Sequence, residues 1–203
     1  MKKSLVLGTA LLFCAWALPA SASAVVGQPA PAFTATDDSG KTVSLSDYKG
    51  KIVVLEWTSS ECPIVKKHYD SGNMQKLQKA ATGTGVVWLS VDSSGPKNPG
   101  YMDAAAANAW IKSRSASPTD LLIDSSGAVG HLYGAKTTPH MFVIDKNGVL
   151  AYAGAIDSIS SADPADIPKA TNYVQAALQE LKAGKPVSVS ETQSYGCSVK
   201  YGQ

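Results

Sequence analysis

Cys62 stands where an apolar segment gives way to a basic one, in the stretch EWTSSECPIVKKHY. The following Pro63 is typical of a first helical turn, where its missing amide hydrogen leaves no hydrogen bond unmade. The pattern predicts Cys62 at a helix N-terminus, where free amides and the helix dipole favour the nucleophilic thiolate. Lys66 and Lys67 would add positive potential, and Glu61 would oppose it. The alternative is a small apolar side chain packed under a sheet.

A second cysteine, Cys197, lies near the C-terminus in the segment YGCSVKY. The third, Cys14, falls in an N-terminal stretch with two lysines, a short apolar run and small residues at its end, which predicts a secretory signal peptide at residues 1–24. Residues 25–203, including a C-terminal tail at 185–203, are then expected to form a single domain. Export would leave Cys62 and Cys197 as an even pair where disulfides persist.

The elements that must position these cysteines follow from the apolar patterns. Residues 52–57 and 85–92 are nearly continuous apolar runs, typical of strands covered on both faces. A helix is predicted from Pro63 to about Ala81, with a weak point at residues 71–73. Together with the helical stretch DAAAANAWIKSR they give a βαβ rhythm, which predicts an α/β layer fold.

The flanking segments complete this fold. An N-terminal β-hairpin is predicted around the turn at residues 38–41, a third strand at DLLID, and a second hairpin from HMFVID and VLAYAG. An amphipathic helix is predicted from about Asp166 to Ala183, ended by Gly184. The tail after it has room for a short strand.

The charge balance excludes some classes of partner. The formal net charge is +2 and includes two lysines of the predicted signal peptide, so the mature chain is close to neutral. We therefore expect no nucleic-acid partner and, after signal removal, no membrane partner. No cofactor is expected either.

At the level of whole motifs, the sequence resembles thioredoxin-fold proteins of the redoxin group, which joins exported thioredoxin-like proteins and AhpC/TSA-type peroxiredoxins. The segment GQPAPAFTATDDSGKTVSLSDYKGKIVVLEW is similar to the group's opening strands, residues 57–66 to its active-site turn, and TTPHMFVIDKNGVLAYAGAID to its later hairpin. The resemblance implies a thioredoxin-like fold, with a central mixed sheet flanked by helices.

The resemblance also implies roles for individual residues. Cys62 corresponds to the attacking cysteine, and Thr137, Thr138 and Pro139 to a loop with a cis-proline that faces it and pairs with an extended peptide in the family. The alternative for Pro139 is an ordinary proline at a strand start. His140 would then approach the sulfur and transfer protons, unless it is simply buried and hydrogen bonded.

The sequence departs from both kinds of relative. The second cysteine of thioredoxins is replaced by Val65, so a resolving thiol is not local. Ser59 matches the Thr or Ser that peroxiredoxins place three residues before their cysteine, but Leu55 stands where they have a proline. Their arginine before the FVID-like strand is also missing, because Pro139 aligns there, and the single arginine, Arg114, is expected to face solvent.

Cys197 is therefore the candidate resolving cysteine, attacking an oxidised or mixed-disulfide form of Cys62. Two alternatives stay open, namely a structural disulfide that ties down the tail and an intermolecular disulfide. A further alternative is a copper site formed by Cys62, Cys197 and His140.

Two residues of the strand before Cys62 complete the candidate site. Trp57 is expected to pack in the core and to form an active-site wall. Glu56 interrupts an apolar strand, so it is either a buried carboxylate that accepts the thiol proton or a side chain that reaches water at the strand end. His68 and His131 are expected at the surface.

These residues predict an exported, secreted or periplasmic thiol-dependent oxidoreductase. Its partner would be a thiol or disulfide of a protein or small molecule, or a peroxide. Disulfide exchange is the first interpretation and a peroxiredoxin-like peroxidase the second. A non-catalytic module with a structural disulfide is a third.

Overall fold

The computed structural model describes residues 24–202. The predicted signal peptide therefore lies outside the described residues, apart from Ala24. Within the described part of the chain, no helix combines the length and apolar character needed to cross a membrane.

A seven-stranded mixed sheet forms the centre of the fold. Its strands are β1 (Thr34–Asp37), β2 (Thr42–Ser44), β3 (Val53–Trp57), β4 (Val87–Asp92), β5 (Asp120–Ile123), β7 (His140–Ile144) and β8 (Leu150–Gly154). They lie in the order β2-β1-β5-β4-β3-β7-β8. The pairs β3–β4 and β4–β5 are parallel, and the remaining neighbours are antiparallel. The predicted α/β fold, with a central mixed sheet flanked by helices and an N-terminal hairpin, agrees with this topology.

Helices cover both faces of the sheet. They are α1 (Pro63–Asp70), α2 (Asn73–Thr82), α3 (Ala104–Arg114), α4 (Ala128–Tyr133) and α5 (Tyr173–Lys182), with 3-10 turns at Leu45–Tyr48 and Pro164–Lys169. Side chains from α1, α2, α3 and α5 pack on one face, whereas α4 and the N-terminal segment pack on the other. Cys62 belongs to the core of the first face.

Two predicted helices differ from the observed ones. The helix after Cys62 ends at Asp70 and restarts at Asn73, because Gly72 between them has a φ of 74° that a helix does not allow. The predicted helix at 166–183 is in fact a 3-10 turn followed by α5. Pro168 lacks the amide hydrogen for a continuous helix, and Asn172 begins α5 by accepting the Gln175 amide at 2.9 Å.

The C-terminal tail returns across the molecule and ends beside Cys62. It contains a two-residue strand, β9 (Cys197–Ser198), which pairs antiparallel with β6 (Thr137–Thr138) in a separate small sheet. The short tail strand for which the sequence left room is therefore present, and it carries Cys197.

Candidate active site

Cys62 occupies the N-cap position of α1, as its place before Pro63 predicted. The residue is only 2% exposed, so its thiol is buried and does not lie on the protein surface. Its backbone carbonyl accepts the Lys66 amide at 2.9 Å, which closes the first turn of the helix. The free amides of that turn favour a negative charge on the sulfur.

The loop opposite Cys62 contains the predicted cis-proline. The peptide bond between Thr138 and Pro139 is cis. The Cys62 thiol donates to the Thr138 carbonyl oxygen at 2.9 Å, a contact that exists only while the sulfur is protonated. Residues 76 positions apart in the chain are thus in direct contact at the sulfur.

The tail brings Cys197 to the same place. Cys197 is the register partner of Thr138 in the β6–β9 pair, and Thr138 is the residue whose carbonyl oxygen accepts the Cys62 thiol. Both cysteines are free thiols in this structure. A sulfur that can attack Cys62 therefore lies next to it, although the two residues are far apart in sequence.

The contact separates the pKa values of the two thiols. Burial acts to raise the pKa of Cys62, but hydrogen bonding to the sulfur from the Cys197 and Thr138 side chains and from the backbone amides of Val65 and Cys197 holds that pKa below its ordinary value. Burial raises the pKa of Cys197 to about 11, and its hydrogen bond to Cys62 and the Cys62 charge act in the same direction. Cys62 is therefore the more acidic thiol and Cys197 the proton donor to it.

The expected lysine potential is not directed at the sulfur. Lys66 pairs with Glu61 at 3.7 Å on exposed side chains, where such a pair contributes little. The Lys67 ammonium donates to the Ser161 carbonyl oxygen at 2.9 Å. Arg114, which is 27% exposed rather than free in solvent, pairs with Asp70 at the far end of α1. An eight-residue helix is about 12 Å long, so this guanidinium does not reach Cys62.

Ser59 shapes the turn before Cys62. It is buried, its carbonyl oxygen accepts the Cys62 amide at 3.3 Å, and its hydroxyl accepts the Glu61 amide at 3.4 Å. Gly100 lies so close that a Cβ there would come within 2.4 Å of the Ser59 hydroxyl oxygen. Ser59 thus holds the backbone that presents the thiol.

Glu56 is fully buried, so the alternative in which its side chain reaches water is wrong. Four donors surround its carboxylate, namely Tyr69 (2.8 Å), Gln78 (3.2 Å), Trp88 (2.7 Å) and Ser90 (3.0 Å). Burial raises the pKa of Glu56 to about 6, and the four hydrogen bonds limit the increase. Cys62 is not among the donors. The Tyr69 contact instead ties α1, the helix that begins at Cys62, to the central strand.

Trp57 and His140 belong to the other face of the sheet. The Trp57 ring packs against Tyr133 and Phe142 in the second core, and its Nε1 donates to the Ser93 hydroxyl at 3.0 Å. The His140 ring packs on Phe142, and its Nδ1 accepts the Lys136 amide at 3.2 Å. The expected approach of His140 to the sulfur is wrong; the alternative of a buried, hydrogen-bonded histidine is the one observed. Likewise Trp57 packs in the core but forms no wall at Cys62.

His68 was expected at the surface and is completely buried. Its Nε2 lies 3.8 Å from Oδ2 of Asp157, and the other carboxylate oxygen of Asp157 accepts the hydroxyl of Tyr195, two residues before Cys197. Burial lowers the pKa of His68 to about 4, although Asp157 opposes the shift. The helix that begins at Cys62 and the tail that carries Cys197 therefore meet at Asp157. The sequence contained a signal for the burial of His68, because this residue shares a helical face with the apolar Val65 and Tyr69.

The alternative metal site is not formed. Across residues 24–202, no three histidine, cysteine, aspartate or glutamate side chains are grouped so that they could hold a metal ion. His140 lies on the opposite side of the sheet from Cys62, so it does not supply the third ligand.

Comparison with protein families connects this geometry to known proteins. The model of the AhpC/TSA family matches residues 26–153, which is more than half of the chain. This range contains Cys62 and the cis-proline loop but ends before Cys197. The expected resemblance to the redoxin group is confirmed.

Two kinds of curated relative are similar to the chain. The thiol-disulfide oxidoreductase ResA of Bacillus thuringiensis subsp. konkukian is 29% identical over 123 residues, covering 61% of this chain and 65% of ResA. Peroxiredoxin-2 of Cricetulus griseus is 33% identical over 148 residues, covering 64% of this chain and 69% of that protein. The chain thus spans less than two thirds of the length of ResA. Both names agree with the expectation of a thiol-dependent oxidoreductase.

Solved structures show the same fold. A hypothetical protein of Sinorhizobium meliloti 1021 superposes with a TM-score of 0.74 over 89% of this chain and 96% of that one, at 23% identity. The exposed lipoprotein thioredoxin Etrx1 of Streptococcus pneumoniae strain TIGR4 has a TM-score of 0.53, 30% identity and coverage of 75% and 98%. The first of these supports the fold alone.

Proposed function

From the premise that the chain belongs to the AhpC/TSA family, we propose that it is a thiol-dependent oxidoreductase with Cys62 as nucleophile and Cys197 as resolving cysteine. The observation that supports this proposal is that Thr138, whose carbonyl oxygen accepts the Cys62 thiol at 2.9 Å, is the register partner of Cys197 in the β6–β9 pair. The pKa of Cys62 is lowered and that of Cys197 is raised. The curated relatives act on thiols and disulfides or are peroxiredoxins by name, which agrees with this class of chemistry.

In the reaction, the Cys62 thiolate attacks one sulfur of a substrate disulfide, whose S–S bond breaks. The leaving thiolate takes up a proton, and Cys62 is left in a mixed disulfide. Cys197 then loses its proton and attacks the Cys62 sulfur, which releases the second substrate thiol and forms a Cys62–Cys197 disulfide. An external dithiol reductant restores both thiols.

The pKa values put these steps in order. Burial, the hydrogen bond to Cys62 and the Cys62 charge all raise the pKa of Cys197. The last two causes disappear once Cys62 is in a mixed disulfide, because its sulfur is then uncharged and is only a weak acceptor for the Cys197 thiol proton. Cys197 consequently becomes more acidic when its thiolate is needed.

Three other predicted site residues position the Cys62 thiol and the backbone around it. Pro139 shapes the loop whose Thr138 carbonyl oxygen faces the thiol. Ser59 holds the turn before Cys62 through its carbonyl and hydroxyl oxygens. Glu56 fixes α1 through Tyr69 and does not exchange protons with the thiol directly.

A second candidate function is the reduction of hydroperoxides, which is favoured by Ser59 at its position before Cys62 and by relatives named as peroxiredoxins. In that case the Cys62 thiolate attacks a peroxide oxygen, the alcohol or water leaves, and Cys197 displaces water from the sulfenic acid. The placement of Arg114 opposes this function, because no guanidinium stabilises the peroxide.

The proposal includes export. Residues 1–24 have the composition of a signal peptide, and residues 25–203 would be the mature single domain, secreted or periplasmic. A solved structure similar to this chain is named an exposed lipoprotein thioredoxin, which supports a role outside the cytoplasm. The partners would be a substrate disulfide or peroxide and a thiol reductant.

The test is to mix the reduced mature protein with one equivalent of a small disulfide and, separately, of hydrogen peroxide. Intact mass and peptide mapping follow the product over time, with Cys197→Ser as the control that traps the first adduct. We expect fast exchange with the disulfide, a Cys62–Cys197 bond in the wild type and a stable Cys62 mixed disulfide in the control. Reaction at the rate of free cysteine, or a bond between two chains, would contradict the proposal.

A further inference from the structure

The C-terminal segment, residues 191–202, covers the backbone edge beside the nucleophile. Its strand β9 pairs in register with β6, so that Cys197 lies opposite Thr138 and Ser198 opposite Thr137. Strand β6 has two residues and has no other partner within residues 24–202. Without the segment, the backbone groups of β6 would be an open edge next to the Cys62 thiol.

Contacts on both sides of β9 fix the segment. Before it, the Thr192 hydroxyl accepts the Ala155 amide at 2.9 Å and bonds to the Tyr152 hydroxyl at 2.6 Å. After it, the Tyr201 ring stacks on His131 with centroids 4.0 Å apart, and its hydroxyl donates to the Ala135 carbonyl oxygen at 2.7 Å. Anchors on opposite sides of the sheet thus hold the strand between them.

The approach to β6 leaves no room for a second peptide. A Cβ on Gly196 would lie 2.1 Å from the carbonyl oxygen of Thr138, the same oxygen that accepts the Cys62 thiol. Gly196 also has a φ of 132°, which L side chains rarely adopt. The segment therefore needs glycine here in order to press its backbone against the site.

An unpaired strand edge binds extended peptides by adding them as a further strand, with main-chain hydrogen bonds supplying the affinity. Here the chain's own tail already makes those bonds. We propose that segment 191–202 is an internal occupant of the peptide-docking edge, and that it restricts Cys62 to low-molecular-weight disulfides. This inference rests on the proposed thiol-disulfide exchange at Cys62.

A low-molecular-weight disulfide reacts by the same steps as those given above for disulfide exchange. Cys62 thiolate attacks a small disulfide RSSR and releases one RSH after proton uptake. Cys197, already adjacent, displaces the second RSH and closes the Cys62–Cys197 bond, which two electrons from a small dithiol reopen. No step needs the segment to leave, whereas an extended polypeptide would have to displace it first.

Two probes test the inference. Both contain a disulfide bond to mercaptoethanol, and only one of them contains an extended peptide. One is bis(2-hydroxyethyl) disulfide, and the other is a short unstructured peptide whose central cysteine carries mercaptoethanol as a mixed disulfide. Loss of the free Cys62 thiol is followed by acid quench and mass in the full mature chain, and each rate is divided by that of free cysteine with the same probe.

The variants are Gly196→Ala, which forces β9 off β6, and Tyr201→Ala, which removes a distant anchor. The control is Gly148→Ala, because Gly148 also has a positive φ, of 80°, but has open space where the Cβ would lie. The peptide can pair with β6 only after it has displaced β9 and broken the main-chain hydrogen bonds between these two short strands. In the wild type we therefore expect the normalised rate to be roughly tenfold lower for the peptide than for the small disulfide. The two segment variants should close that gap, and the control should not.

The outcomes separate the inference from the function. Fast reaction of the wild type with both probes would overturn the inference while the exchange function stands. A gap that persists in both segment variants would also overturn it. If the wild type reacts with the small disulfide no faster than free cysteine does, the proposed function fails and the inference fails with it.

Discussion

Glu56 offers a test of whether a buried charge has been placed in the core under the site. The perturbation is Glu56→Gln, which keeps the shape and an acceptor oxygen but cannot ionise. The carboxylate is fully buried and is contacted by four donors, one on α1, one on α2 and two on β4. Its pKa is raised from 4.5 to about 6 by burial, with the hydrogen bonds opposing.

The magnitude follows from that shift. A rise of about 1.5 pKa units corresponds to about 2 kcal/mol. Because the pKa is higher in the folded protein, folding takes up a proton between pH 4.5 and pH 6. The favourable contribution of the neutral acid is complete below pH 4.5 and is lost as the pH rises through 6.

The assay is urea unfolding of wild type and Glu56→Gln at pH 4 and pH 7.5. The difference in unfolding free energy between the two proteins should change by about 2 kcal/mol, with the wild type relatively more stable at pH 4. Glu61→Gln, which removes an exposed carboxylate, is the control for a general charge effect. A difference that is equal at the two pH values for Glu56→Gln would refute the reasoning.

Two further predictions concern the two thiols and the buried His140. Cys197→Ala should raise the pKa of Cys62 because a hydrogen-bond donor is lost, whereas Cys197→Ser should raise it less because a hydroxyl remains. Thiolate absorbance measured against pH gives the pKa of Cys62 in both variants and the wild type. Equal pKa values in all three proteins would contradict this prediction. Burial lowers the pKa of His140 to about 4, so the folded protein should lose up to about 3 kcal/mol as pH falls from 6.5 to 4. His140→Gln should lose less in the same titration, and an unchanged loss would argue against it.

Local patterns were enough for much of the fold. The apolar runs located β3 and β4, Pro63 located the start of α1, and the positions of Asp38 and Gly40 located the first hairpin turn. These features depend on residues near one another in the chain, because backbone propensity and burial on a strand or helix face are local properties. The helix at 166–183 was misplaced at its start, since a proline and a capping asparagine interrupted an otherwise periodic pattern.

The candidate site divides along the same line. The sequence by itself determined that Cys62 caps a helix and that the second cysteine is distant, and the resemblance to the redoxin group added the cis-proline loop that faces Cys62. The tertiary structure alone decided that Cys197 meets Cys62, that Glu56 is buried among four donors and that His68 lies beside Asp157. Each of these contacts joins residues well separated along the chain. Local propensity carries no information about which distant segments become neighbours, because the path of the chain through the whole fold sets those contacts.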